Sequence, residues 1–200
     1  MAKIGLDYVA VGKLADDVKT AAAATYTDAK YMGTSVTLNG NVTMNDVKDY
    51  GDNRTVETDT SFQSGTLSWE KNDLADEDYA YLLGHTYDEK SKEVTSKADD
   101  IPPFLGVGVV GKSKRNGEHV YVAKFYLKTQ FHEPNDENST KQDTTTFAHE
   151  TVEGAIFELE DGAWKLQKTF SGATALADAK SWVNTKLGIT AAAGGGTVQH

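Results

Sequence analysis

Apolar and polar positions are most clearly ordered between residues 103 and 134. Residues 104–112 form an apolar run punctuated by glycine. Residues 119–131 then alternate, with Tyr121, Ala123, Phe125, Leu127 and Phe131 on one face and Val120, Val122, Lys124, Tyr126, Lys128 and Gln130 on the other. Between the runs lies Asn116-Gly117, the dipeptide that best tolerates the positive φ angles of a tight hairpin turn. One apolar and one mixed face predict a long central hairpin in a sheet packed on one side only.

The same reading places the other elements. Residues 4–11 alternate as a strand, and residues 35–44 are β-rich, with Asn39-Gly40 read as a turn or bulge. Residues 15–29 read as an irregular loop with a helical turn, because Ala21–Ala24 favours helix and Thr25-Tyr26-Thr27 does not. Residues 62–71 return to β. Asp73 is the expected cap of a short helix over 75–83, with Tyr79, Leu82 and Leu83 inward and Gly84 closing it. A short edge strand over 92–95 follows, and Pro102-Pro103 leads the chain extended into the hairpin. Residues 144–159 and 163–170 form a final hairpin around Asp161-Gly162. Residues 173–187 carry Leu176, Ala179, Val183 and Leu187 on one stripe, the one long helix, ended by Gly188. The fold class is mainly β (α+β), a sandwich or barrel-like sheet with two helices. Residues 1–189 make one domain, and residues 190–200 form a flexible tail.

Residues 45–60 break the pattern. They are polar and acidic, with Asp46, Asp49, Asp52, Glu57 and Asp59 around Tyr50-Gly51. A loop this long in a compact domain is uncommon unless it is functional or disordered. No calcium-loop spacing is present. A second acidic stretch occupies residues 135–143.

Composition narrows the function. The formal charge of −10 argues against general affinity for DNA or anionic membrane. The chain has no cysteine, so no disulfide framework or thiolate site is available. No run of about 18 apolar residues is present, and Met-Ala-Lys-Ile-Gly lacks a signal peptide's apolar core. The expectation is a chain kept in the cytoplasm, or one that leaves it by a route other than secretion.

Motifs of chemistry are thin. Gly106, Gly108 and Gly111 spell G-x-G-x-x-G, but inside a strand-like run rather than at a helix start, so they read as sites of close backbone approach. His132-Glu133 and His149-Glu150 begin like H-E-x-x-H, yet Asp136 and Glu153 stand where the second histidine belongs. No nucleophile elbow occurs. The expectation is no enzyme, no cofactor and no metal.

Several stretches together resemble the major tail protein family of long-tailed, non-contractile phages of Gram-positive bacteria. MAKIGLDYVAVGKL resembles its first strand, and ETDTSFQSGTLSW with DLADEDYAYLLGH its strand and short helix. DDIPPFLGVGVVGK and KTQFHEPNDENSTK resemble its central hairpin and the loop after it. TVEGAIFELEDGAWK and SWVNTKLGI resemble its last hairpin and C-terminal helix. The likeness spans residues 1–189 and rests on order and spacing rather than on one motif. Residues 173–179 are less acidic than that family's pattern, and the Gly-rich tail is not part of it.

The resemblance implies a tail-tube protein, in which a β-sandwich flanked by a helix associates into rings, usually of six, that stack into a tube for genome delivery. It implies a virion protein assembled in the host cytoplasm. Its partners would be copies of itself, tape-measure and tail-tip or terminator proteins, with phage DNA passing unbound and no membrane contact. An acidic wall would let the duplex slide. Residues 45–60 become the candidate contact between rings, through Asp46, Asp49, Tyr50, Asp52 and Asp59, with Tyr50 as anchor. The competing expectation is a monomeric β-sandwich binding or decoration module whose exposed aromatics stack on carbohydrate.

Overall fold

A computed structural model describes residues 2–15, 18–51, 54–59, 61–115, 117–134 and 149–189, with residues 2–3, 47–51 and 54–59 described by their backbone. The fold is mainly β. Its frame is an antiparallel sheet built from β1 (Ala2–Leu14), β2 (Tyr26–Tyr31), β3 (Ser35–Met44), β6 (Phe62–Lys71), β9 (Leu105–Arg115), β10 (Glu118–Phe131), β11 (Glu150–Phe157) and β12 (Lys165–Ser171). The strand order is β2-β1-β9-β10-β11-β6-β3. Two hairpins stand outside this sheet: β4 (Val47–Gly51) with β5 (Arg54–Asp59), and β7 (Thr86–Asp88) with β8 (Glu93–Thr95). Two helices, α1 (Asp76–Leu83) and α2 (Ala175–Leu187), complete the fold.

The central hairpin forms as the alternation predicts, with Glu118 opposite Arg115 at its turn. β10 is longer than any one neighbour on its far side, so that side is divided. Residues Val120 to Tyr126 pair with β12, and Lys128 to Phe131 pair with β11. The sheet forks there. One branch stays under α2, and the other curls over through β11, β6 and β3.

This fork corrects the expectation of a sheet packed on one side. One face of β10 sends Ala123, Phe125 and Leu127 against Ala179, Val183 and Leu187 of α2. The opposite face contributes Tyr126 to a second core with Val9, Val11, Val107, Leu67, Trp69, Val152 and Ile156. Residues Leu105 to Val110 of β9 are all buried, as a strand covered on both faces requires. Phe131 also departs from its predicted face. The register slips between Tyr126 and Thr129, so beyond the bulge the alternation inverts and Phe131 joins Tyr126 rather than Phe125.

Residues 15–29 do not form only a loop: β2 begins at Tyr26 and pairs with the C-terminal half of β1. Asn39-Gly40 is neither turn nor bulge, since the pairing of β3 with β6 runs unbroken through Asn39–Ser68 and Gly40–Leu67. Glycine is required at position 40 because a Cβ would collide with the Tyr126 hydroxyl. Gly106 and Gly108 sit inside β9 in the same way, pressed by Tyr26 and by Val183. Asp73 does not cap α1. The helix starts after Ala75, and Asp76, Glu77 and Asp78 supply the negative first turn instead. Gly84 and Gly188 close the two helices in left-handed geometry, as expected. The predicted tail over 190–200, the acidic stretch over 135–143 and the start of the 144–159 run lie outside the described residues.

Candidate assembly interface

Residues 45–60, expected as a loop, contain a β-hairpin. Asn45 N–H donates to the Ser61 carbonyl at 2.8 Å, and its side-chain amide donates to the Ser61 hydroxyl at 2.9 Å. These bonds clamp the root of an arm in which β4 and β5 carry the chain beyond β3 and β6. Its polar sequence is explained by this position: a two-stranded ribbon beyond the core has no apolar face to bury.

Asp49 is the Cα partner of Glu57, and Val47 that of Asp59. Directly opposed acids destabilise a strand pair, and the arm's sequence over residues 46–59 holds five acidic residues against only Lys48 and Arg54. Asp46 is exposed at the entry to the arm. Asp49 and Tyr50 stand in β4, and Asp59 ends β5. Asp52 lies outside the described residues.

Several backbone edges are open among the described residues. β3 ends the curled branch, and its pairing is only with β6. β2 covers β1 only from Ala10 to Leu14, which leaves the N-terminal half of β1 without a strand on that side. The chain passes from β2 to β3 beside Val9, where Met32 N–H donates to the Val9 carbonyl at 3.0 Å. From there β1 and β3 diverge and leave a cleft of about 380 Å³ between them. Exposed apolar side chains mark these places: Ile4 and Val36 line the cleft, and Met44 stands at the arm's root.

Several charged groups elsewhere pair with one another. Lys71 is buried and donates to Asp78 at 2.7 Å, while Lys30 reaches Asp78 at 2.9 Å and Glu77 at 3.1 Å. His85 Nδ1 meets Asp100 at 2.8 Å, and its Nε2 meets Glu133 at 3.3 Å. The Tyr79 hydroxyl donates to the same Glu133. Burial acts to lower the His85 pKa, and the hydrogen bonds to Asp100 and Glu133 outweigh it and hold the ring above its ordinary value. His149 is held by Glu70 at 2.8 Å, and Glu70 also accepts from Thr37.

His85, Asp100 and Glu133 are far apart in the chain, so sequence spacing did not reveal them. They bind the end of α1, the approach to β9 and the end of β10 into one bracket. Among the described residues its carboxylates meet the ring, the Tyr79 hydroxyl and the Lys97 N–H. Among the described residues no group of three or more His, Asp or Glu is placed to hold a metal ion. None of their helices is long and apolar enough to cross a membrane.

The sequence matches no model of a known protein family, and no curated protein matches it.

Proposed function

We propose that this chain is a structural subunit that associates with copies of itself, forming rings that stack into the tube of a long, non-contractile phage tail. The carrying observation is the projecting acidic arm, raised from a sheet whose β3 edge and N-terminal β1 edge are open. A monomer leaves such edges to water or to aggregation. A ring of copies pairs them, closing the sheets into one barrel. The resemblance of the sequence to tail-tube proteins supports the same reading, with tape-measure, terminator and tail-tip proteins as partners.

The uncovered face of β3, β6 and β11 suits a channel wall. Cross-strand rows place Asn39, Ser68 and Glu153 together, then Asn41 and Thr66, then Thr37, Glu70 and Thr151. Short polar groups offer a duplex little to hold, and the charge of Glu153 repels phosphate, while Glu70 is shared with His149. Function on this reading is passage without binding, and no bond is made or broken.

Negative-stain electron microscopy and light scattering over a concentration series test it. Hollow rings or tubes are the expected result. A chain that stays monomeric at every concentration, and with tail-tip complexes added as initiators, overturns it. A basic lumen in an assembled tube overturns the assignment of the wall.

A further inference from the structure

His85 stands just past α1, after Gly84, and its backbone N–H closes the helix by donating to the Ala80 carbonyl at 3.0 Å. The helix end therefore places the ring, and 9% of the side chain meets solvent. Its two nitrogens face two different carboxylates. Nδ1 lies 2.8 Å from Asp100, which is 15% exposed, and Nε2 lies 3.3 Å from Glu133, which is 56% exposed. An ionised carboxylate only accepts hydrogen bonds, and a neutral imidazole has one N–H and one bare nitrogen. Both contacts can be hydrogen bonds to ionised acids only while the ring is a cation. The two acids are also held unequally. Asp100 accepts the Lys97 N–H at 2.9 Å, and its own N–H donates to the Lys97 carbonyl at 3.1 Å, so a turn fixes it. Glu133 lies beyond the end of β10, and its other tie is the Tyr79 hydroxyl.

We propose that His85 is a proton-operated latch between α1 and the end of β10. Charged, the ring grips Asp100 and Glu133 together. On deprotonation the remaining proton stays on Nδ1 with the better-held Asp100. The bare Nε2 then turns its lone pair on the Glu133 carboxylate, and Glu133 swings toward solvent. The other charged and titratable groups around the ring do not decide this choice. In the hollow beside it, Lys30 is tied to Glu77 and Asp78, Lys13 to Asp28, and the Tyr81 hydroxyl to the Asp28 carbonyl. Tyr87 lines the same hollow, and none of these groups bonds to a ring nitrogen. Burial lowers the pKa of the ring and the two hydrogen bonds outweigh it, so the latch opens above the ordinary value of 6.5. The device is a property of the single chain and does not rest on self-association.

Nitrogen-15 NMR of the full chain, labelled at histidine and titrated from about pH 6 to 9, tests this. The His85 signals are those missing from His85→Gln, and magic-angle spinning reads them equally in assembled protein. The expected result is a ring protonated on both nitrogens at the acid end, then loss of the proton from Nε2 while Nδ1 keeps its own. Glu133→Gln gives a second readout at an exposed position. Its amide can donate to a bare Nε2, so His85 should lose the Nε2 proton at lower pH than in wild type, with Nδ1 still protonated. Loss of the Nδ1 proton first, or a ring already neutral at the acid end, overturns the latch. So does a Glu133→Gln chain whose His85 titrates together with that of wild type.

Discussion

The Tyr26 hydroxyl donates to the Leu127 carbonyl at 2.8 Å, deep in the core and at the point where β10 slips register. The Leu127 N–H, also displaced from the regular ladder, donates to the Trp164 carbonyl at 3.1 Å. Thr129 just beyond donates its hydroxyl to the Leu105 carbonyl at 2.8 Å. The bulge that divides β10 between two branches therefore leaves none of these groups bare. Tyr26→Phe keeps the ring and orphans one buried carbonyl, so it should destabilise the fold by about 1–3 kcal/mol in urea unfolding. An unchanged midpoint would show that water replaces the hydroxyl.

Gly108 lies directly under Val183, and a methyl group there has no room. Gly108→Ala should lift α2 from β9 and cost about 1–3 kcal/mol. The pair Gly108→Ala with Val183→Ala should lose less than the two single changes together, a coupling that a double-mutant cycle measures.

Lys71 is a buried cation whose nearest partner is Asp78. Asp78→Ala should cost roughly 3 kcal/mol, the low end for breaking a buried pair, because Asp78 keeps some contact with solvent. Lys71→Met removes the need for a partner and should be far milder. Burial tends to raise the Asp78 pKa, but hydrogen bonds from Lys71 and Lys30 overcome this and hold it below the usual carboxylate value. Its stabilisation is therefore full above that usual value and is lost as pH falls through the lowered one. The acid limb of a stability profile should flatten in Asp78→Asn.

His85 behaves with the opposite sign. Its folded pKa stands above the ordinary 6.5, so its contribution is complete below 6.5 and disappears as pH rises through the raised value. Wild type should lose stability relative to His85→Gln on going from about pH 6 to pH 8, read by thermal melts. Parallel curves for the two proteins would mean that folding leaves the pKa of the ring unchanged.

Deleting residues 47–54 should leave a folded chain, because β3 and β6 pair with each other from Ser35–Lys71 to Met44–Phe62 without it. The same deletion should block tube formation. Normal tubes from the deleted chain would refute the arm as a contact.

The parts of this fold that were legible in sequence are those where burial imposes a pattern. β9 and β10 were readable because their side chains alternate around two cores, and α2 because Ala179, Val183 and Leu187 recur at helical spacing. β2 was hidden because only Tyr26 of its six residues is buried, and Asp28 takes a positive φ of 49° within it. β4 and β5 were hidden for a related reason: an arm beyond the core has no apolar period to betray it. The bulge at Tyr126 to Thr129 could not be seen, since it depends on which strand lies beside β10. The absence of a usable cap at Asp73 reflects a local choice, because its carbonyl accepts the Thr34 hydroxyl at 2.9 Å while three acids already serve the helix start. The candidate contact residues were chosen for their crowding of charge, whereas the pairing of Asp49 with Glu57 and of Asp59 with Val47 belongs to the register alone.

The division of β10 also has a consequence in time. Its first half waits for β12, and its second half for β11, both made after it. β1 must wait about a hundred residues for β9. No fragment that lacks β11 and β12 can bring the two branches together, and α2, which follows both, seals one core later still. Residues 35–71, by contrast, form a hairpin local in sequence, able to pair as soon as it emerges. The hairpin that carries the arm can thus form early in synthesis, while the β1–β9 pair is completed later.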